Sequence, residues 1–166
     1  AGDTASFGYF DKFSIAAWVN AAGDNGTLIS RMTPVEEGAG YSVHLRDGRI
    51  QVNLIKRWLD DAIRVESHAS QPRDRWYHLA VTYDGSRLAE GIRVYVDGQP
   101  ILMDVKLDRL NQTFALPTEP LRIGGGQAPF MGVIDDVRIY GRDLAFAEVQ
   151  LLAVPQTVTE LLRLSP

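Results

Sequence analysis

Apolar and polar residues alternate along much of the chain, as they do in strands with one buried and one polar face. Two stretches, 40–54 and 75–97, show this alternation on both sides of an Asp-Gly turn, the usual signature of a hairpin. No helical pattern lies between these strands, so the sequence favours antiparallel sheets packed into a sandwich. The predicted inter-sheet core is Ile15, Val19, Val43, Leu45, Val52, Leu79, Val81, Val94, Val96, Val137 and Ile139.

The stretch FMGVIDDVRIY at 130–140 places a pair of carboxylates inside a predicted strand. Strict alternation puts Val133, Asp135, Val137 and Ile139 on one side of it. A carboxylate that faces a core must be hydrogen-bonded, paired with a cation or bound to a metal. We therefore predict that Asp135 is mostly buried and is held by several donors or by one cation.

Two helices are predicted after that strand. Asp143 can cap a helix that runs to about Ala153, and Pro155 ends it. A second short helix is predicted to begin at Thr157 or Thr159. The C-terminal part of the chain is therefore predicted to be helical, unlike the rest.

At 166 residues the chain is long enough for one domain with a sizeable core. We predict that residues 1–153 form this domain and that residues 154–166 form a helical tail or a linker toward a further domain. No apolar run approaches the ~18 residues of a membrane span. Residues 1–6 are not strongly apolar, so we expect no signal peptide in this chain.

Charge and cysteine content exclude several classes of function. A net charge of −4 gives no electrostatic attraction for nucleic acid or for an anionic membrane, so neither is an expected partner. The chain has no cysteine, which excludes disulfides, thiolate nucleophiles, cysteine-ligated zinc and c-type haem attachment within it.

The residues opposite the predicted core supply candidates for ligand binding. Polar side chains recur at alternating positions on one predicted sheet face, and fixed donors and acceptors of this kind suit the hydroxyl groups of a glycan. Trp58 lies in a predicted loop among charged residues, where its indole either stacks on a sugar or a protein partner or folds back over the sheet as a lid. The candidate ligand-binding residues are His44, Gln51, Asn53, Trp58, Arg93 and Tyr95.

Nucleophilic catalysis has little support in the sequence. His44 and His78 could share a polar face, which leaves a catalytic dyad open beside the simpler interpretation of two sheet-surface histidines. No motif places a serine nucleophile beside any histidine.

Several stretches in sequence order resemble the laminin-G-like, concanavalin A-type lectin/glucanase jelly rolls. They are FSIAAWV at 13–19, GTLISR at 26–31, GYSVHLRDGRIQVNL at 40–54, RWYHLAVTYDGS at 75–86, GIRVYVDGQPI at 91–101, LRIGGG at 121–126 and the strand at 130–140. Residues 52–67 and 107–111 further resemble a subgroup embedded in large planctomycete-type secreted proteins that carry a c-type haem domain elsewhere. The resemblance implies an all-β, two-sheet antiparallel jelly-roll sandwich and an extracytoplasmic or secreted location.

The resemblance also bears on metal binding and catalysis. Many relatives hold calcium where the first and last strands meet, which implies Asp135, Asp3, Asn25 and Gly26 as the corresponding ligands here; the alternative is that Asp135 accepts backbone hydrogen bonds without an ion. Glucan-cleaving relatives use a Glu-x-Asp-x-Glu strand, and no such alternation exists in this sequence.

These observations predict a non-catalytic, lectin-like carbohydrate-binding module of a larger secreted protein, with a polysaccharide or glycan as its partner. The alternative is a structural or protein-interaction spacer that contacts neighbouring domains of the same protein. A glycan-degrading enzyme is the weaker alternative, because the acidic residues fall in adjacent pairs that a strand would split across its two faces.

Overall fold

The alternating stretches of the sequence form strands in the computed structural model, which describes residues 5–155. The strands are β1 (Phe13–Ala21), β2 (Gly26–Met32), β3 (Gly40–Arg46), β4 (Arg49–Arg57), β5 (Asp61–Ser70), β6 (Trp76–Tyr83), β7 (Ile92–Val96), β8 (Gln99–Pro100), β9 (Met103–Arg109), β10 (Arg122–Ile123) and β11 (Gly132–Tyr140). They build a five-stranded sheet in the order β11-β1-β6-β7-β8 and a six-stranded sheet in the order β10-β2-β3-β4-β5-β9. Every strand pairing is antiparallel. The predicted all-β sandwich is confirmed.

The core lies between the two sheets, where the sequence pattern placed it. Val81 on β6 and Val94 on β7 lie opposite each other, and both are buried. Burying one aliphatic side chain of this size contributes roughly 1.5–3 kcal/mol. The predicted core residues that are buried are Ile15, Val19, Val43, Leu45, Val52, Leu79, Val81 and Val94, while Val96, Val137 and Ile139 are half-buried and pack against them.

A bulge in β11 overturns the prediction that Asp135 faces the core. Ala16 of β1 lies opposite Arg138, whereas Trp18 lies opposite Asp135, so β11 contains one extra residue between these pairs. Asp136 in the bulge has a positive φ of 48°. The extra residue shifts the alternation, so the core-facing residues are Ile134 before the bulge and then Val137 and Ile139. Asp135 is exposed, and our prediction for it was wrong because it counted the strand as regular.

The α-helix α1 (Phe146–Leu152) covers part of the outer face of the five-stranded sheet. Its Val149 is fully buried, and its Phe146 stacks on Tyr95 of β7 with ring centroids 6.0 Å apart. Ala16 and Ala80 are small enough to let the helix approach the sheet, and they belong to the same buried cluster. The outer face of this sheet is therefore a second, smaller core.

The helix begins later than the sequence predicted. Asp143 does not cap it, and its carboxylate instead lies 3.3 Å from the Lys12 ammonium. At the actual N-terminus, Glu148 accepts a hydrogen bond of 2.8 Å from the Ala145 backbone N–H. The predicted second helix from Thr157 or Thr159 lies outside the described residues. No helix among residues 5–155 is long and apolar enough to cross a membrane.

Candidate functional site

The outer side of the six-stranded sheet carries a grid of polar side chains from three neighbouring strands. Most of them are buried, and Glu66 is half-buried. Ser42 and His44 of β3 lie opposite Asn53 and Gln51 of β4, respectively. Gln51 in turn lies opposite Glu66 of β5. Neighbouring strands are about 4.8 Å apart. We call this surface the polar face.

A continuous hydrogen-bond network fixes the side chains of the polar face. The His44 ring Nε2 lies 2.5 Å from Gln51 Oε1, and Gln51 Nε2 donates to Glu66 Oε2 at 2.5 Å. Glu66 Oε1 lies 3.4 Å from the Lys106 ammonium and 3.6 Å from an Arg49 guanidinium nitrogen. Because these side chains hold each other in place, their donors and acceptors are preorganised for a ligand.

The network also fixes the state of His44. The Gln51 amide donates to Glu66, so its oxygen faces the ring and His44 Nε2 must carry a proton. Burial is the main cause that lowers the pKa of His44, with the charge of Arg46 in the same direction, while the Gln51 hydrogen bond and the Glu66 charge oppose it. His44 is consequently neutral at neutral pH, and it donates its Nε2–H to Gln51 Oε1.

Trp58 and Arg64 continue the polar face beyond the network. Arg64 lies opposite Asn53 in the β4–β5 pairing. Its guanidinium carbon is 4.0 Å from the centre of the Trp58 ring, a cation–π contact. The half-buried indole thus lies back against the sheet, as in the lid interpretation, rather than projecting into solvent.

The structure separates the ligand-binding residues that the sequence grouped together. His44, Gln51 and Asn53 belong to the six-stranded sheet, whereas Arg93 and Tyr95 lie on β7 of the five-stranded sheet. Tyr95 is also buried under α1, which removes its ring from any surface site. The prediction of a single face for all of them was wrong, because alternation assigns a side of a strand but not the sheet that contains it.

The two histidines of the proposed dyad are separated in the same way. His78 lies on β6 in the five-stranded sheet, and its ring packs edge-on against Trp18 with centroids 5.2 Å apart. His44 is in the other sheet. The side chains face outward from opposite sides of the sandwich, so they cannot act together on one substrate.

Sequence reasoning missed Arg64 and Glu66, although a signal for them was present. Along β5 they alternate with Ile63 and Val65, both of which are buried in the core. This is the same pattern that identified His44 and its neighbours.

The four predicted calcium ligands do not form a common site among the described residues. Asn25 and Gly26 line a cleft of about 170 Å³ at the rim of the polar face. Asn25 Oδ1 already accepts a hydrogen bond of 3.0 Å from the Asp47 backbone N–H. Asp135 is exposed on the other sheet, where it accepts a bond of 2.8 Å from the Asp136 backbone N–H. Asp3 lies outside the described residues.

Within residues 5–155 no three or more His, Asp or Glu side chains are grouped so that they could hold a metal ion. A calcium site at Asp135, Asp3, Asn25 and Gly26 stays a prediction. A rise in melting temperature with added calcium, relative to chelator, would support it, because a ligand that binds only the folded state stabilises that state.

A family profile described as the concanavalin A-like lectin/glucanases superfamily (Laminin_G_3) matches residues 1–150. The chain belongs to this superfamily. None of the curated proteins matches the sequence. The family assignment agrees with the two-sheet architecture and with the resemblance found in the sequence.

Solved structures share the fold of this concanavalin A-like domain at low sequence identity. The binding domain of Paraclostridial Mosquitocidal Protein 1 is 17% identical with a TM-score of 0.67, over 92% of this chain and 39% of that one. The Ruminococcus gnavus IT-sialidase CBM40, solved with α2,3-sialyllactose bound, is 12% identical with a TM-score of 0.66, over 87% and 84%. The SAP-like pentraxin of Limulus polyphemus is 14% identical with a TM-score of 0.58, over 86% and 70%. The chain thus spans about two fifths of the mosquitocidal binding domain.

Proposed function

We propose that this concanavalin A-like domain is a non-catalytic carbohydrate-binding module and that its glycan site is the polar face of the six-stranded sheet. The observation that carries the proposal is the His44–Gln51–Glu66 network, which holds hydrogen-bonding side chains of three strands in fixed positions. Sugars present closely spaced hydroxyl groups, and a preorganised set of donors and acceptors can bind them without a large ordering cost.

The comparisons support this class of function. The superfamily is described by lectins and glucanases, and one structure of the same fold is a sialidase module with a bound sialylated sugar. Those descriptions concern other proteins. They support the proposal for this chain because its polar face also carries side chains that can hydrogen-bond to hydroxyl groups.

Glu66, the acidic residue within the network, fits binding better than hydrolysis. Burial raises the pKa of Glu66, but the hydrogen bond from Gln51 and the charges of Lys106 and Arg49 outweigh it and lower the pKa. A general acid in glycoside hydrolysis needs a raised pKa, whereas the pKa of Glu66 is lowered. Glu66 is thus suited to fixing Gln51 and unsuited to donating a proton to a leaving group.

We further propose that the domain is part of a larger secreted protein, as its sequence resemblance implies. A glycan-binding module acts by keeping the rest of its protein close to a polysaccharide surface, which raises the effective concentration of the two. The haem-containing planctomycete proteins are one expected setting.

A protein-docking role is the second candidate, and one groove favours it. Where β7 and β8 of one sheet approach β9 of the other, a groove of about 540 Å³ is lined largely by apolar side chains. Leu102 is 80% exposed there, and Val105 and Leu88 are also exposed. Exposed apolar surface of this kind can mark a protein interface.

Titration of soluble oligosaccharides and polysaccharides against the chain tests the glycan proposal. We expect weak binding to a single sugar, on the order of 0.1–1 mM, because a shallow polar site buries little apolar area. Gln51→Ala and Trp58→Ala should weaken binding, and Arg93→Ala on the other sheet is the matched control. Appearance of hydrolysis products would contradict the non-catalytic part, and no binding across a broad panel would favour the docking role.

A further inference from the structure

We propose that the glycan bound on the polar face is acidic and that Arg64 contacts its carboxylate group. This inference rests on the proposed function and adds the chemical class of the ligand. It comes from one side chain whose hydrogen-bonding groups the described part of the protein does not use.

Arg64 differs from the arginines that have structural roles. Arg57 makes a charge-assisted hydrogen bond of 2.8 Å to Asp60, and Arg142 makes one of 2.7 Å to Glu148. Among residues 5–155 we find no hydrogen bond or ion pair to the Arg64 guanidinium, and its Nε is buried without an acceptor. A buried N–H without an acceptor is unfavourable, so the half-buried Arg64, whose guanidinium stacks on Trp58 but has no acceptor among the described residues, is a group that a ligand can satisfy.

The neighbours of Arg64 determine the side from which a ligand can approach its guanidinium. Trp58 lies over the guanidinium at 4.0 Å from the guanidinium carbon to the ring centre, which occupies one face of the planar group. The edge of the guanidinium then offers its N–H groups in a fork, and this fork matches the two oxygens of a carboxylate. Stacking on an aromatic ring restrains the fork and lowers the entropic cost of binding.

The neighbouring side chains extend the site to a sugar ring. Asn53 lies opposite Arg64 on the adjacent strand, about 4.8 Å away in the sheet. Its amide nitrogen is 3.4 Å from His44 Nε2, so Asn53 lies directly beside the network. Asn53 and His44 are buried, so a carboxylate on Arg64 would place the attached ring above them, at the surface of the network.

Nearby charges partly oppose and partly assist such a ligand. Arg46 adds a second positive charge whose field reaches both Arg64 and His44, while the field of Glu37 favours the charged form of Arg64. Glu37 would repel a carboxylate ligand. Replacing it by glutamine should therefore strengthen binding of an acidic sugar by about two- to threefold and leave a neutral sugar unaffected.

A matched pair of ligands tests the inference directly. Trigalacturonate and its fully methyl-esterified form differ only in their carboxylates, and isothermal titration of both against the whole chain compares their affinities. We expect the acid to bind at least about tenfold more tightly, because a charge-assisted bidentate contact contributes more than a neutral one. Arg64→Gln should remove this preference, and Arg64→Lys should restore little of it because an ammonium lacks the fork. Arg93→Gln is the control and should keep the preference.

The outcomes separate this inference from the proposed function. Equal affinity for the acid and the ester, with loss of both in Gln51→Ala, would overturn the role of Arg64 and keep the glycan site. A preference for the acid that survives in a folded Arg64→Gln variant would also overturn it. Quenching of tryptophan fluorescence by the acid alone, absent in Trp58→Phe, is the second expected signal, since the Trp58 indole lies on the guanidinium.

Discussion

The outer faces of the two sheets come from the same alternating sequence pattern but differ in what covers them. On the five-stranded sheet the outward residues include Ala16, Ala80 and Tyr95, and they are buried under α1. On the six-stranded sheet the outward residues include His44 and Gln51, which are bonded to each other rather than covered by a helix. His44 and Gln51 are nevertheless buried, at 6% and 8% exposure. The comparison teaches that an outward position in a strand does not by itself predict exposure, because a helix or neighbouring polar side chains can cover it.

The largest expected change in stability is at Tyr95. The sequence predicted this residue in the ligand site, whereas the structure places it under α1. Tyr95→Ala should lower the free energy of unfolding by about 3 kcal/mol, because it leaves a cavity beneath Phe146. Chemical denaturation measures this change. Glycan affinity of the folded fraction should be unchanged. A stable variant with lost glycan binding would show that Tyr95 belongs to the site after all.

On the other face, substitution of Gln51 should lower both stability and glycan binding. Gln51→Ala leaves His44 and Glu66 without their shared partner and should cost about 2 kcal/mol. Glycan binding should also fall strongly, unlike in Tyr95→Ala. Chemical denaturation and titration of the same variant measure the two effects. Unchanged stability together with unchanged binding would mean that the network has neither role.

The smallest expected effect is a pH dependence of folding stability, to which one histidine on each face contributes. Burial lowers the pKa of His44 on one sheet and of His78 on the other, below the ordinary value of 6.5. A lowered pKa means that the unfolded chain binds more protons, so the stability contributed by neutral histidine is complete above pH 6.5 and is lost as the pH falls through the folded-state values. His44→Gln and His78→Gln should each reduce the slope of melting temperature against pH in this window.

Glycan binding distinguishes the two histidines in that experiment. Protonation of His44 adds a proton at Nδ1 and so places an unfavourable charge in the buried network, and affinity for a neutral glycan should therefore fall at acidic pH in the parent and in His78→Gln. The fall should be absent in His44→Gln. If His78→Gln abolished the pH dependence of binding instead, the glycan site would belong to the five-stranded sheet.

Much of the fold could be predicted from the sequence because strand alternation reports burial directly. Val43, Val81 and Val94 were assigned to the core and are buried there. Asp135 was misplaced because a bulge depends on one residue, Asp136, adopting a positive φ, and the alternation gives no sign of it.

The candidate site was harder to predict than the fold. Which sheet a strand joins depends on long-range pairing, so Arg93 and Tyr95 were grouped with residues of the other sheet. The start of α1 was placed too early because Leu144 donates its backbone N–H to Ser14 Oγ at 2.9 Å, a contact that keeps the preceding segment against β1. Contacts between distant residues decided both cases.

The most direct test of the central claim is a map of amide chemical shifts during titration with a glycan that binds. The account predicts progressive shifts in β3, β4 and β5, with Asn53, Arg64 and the Trp58 indole among them, and no shifts at Arg93 or in α1. Shifts confined to the five-stranded sheet, or to the apolar groove around Leu102, would contradict the assignment of the polar face as the glycan site.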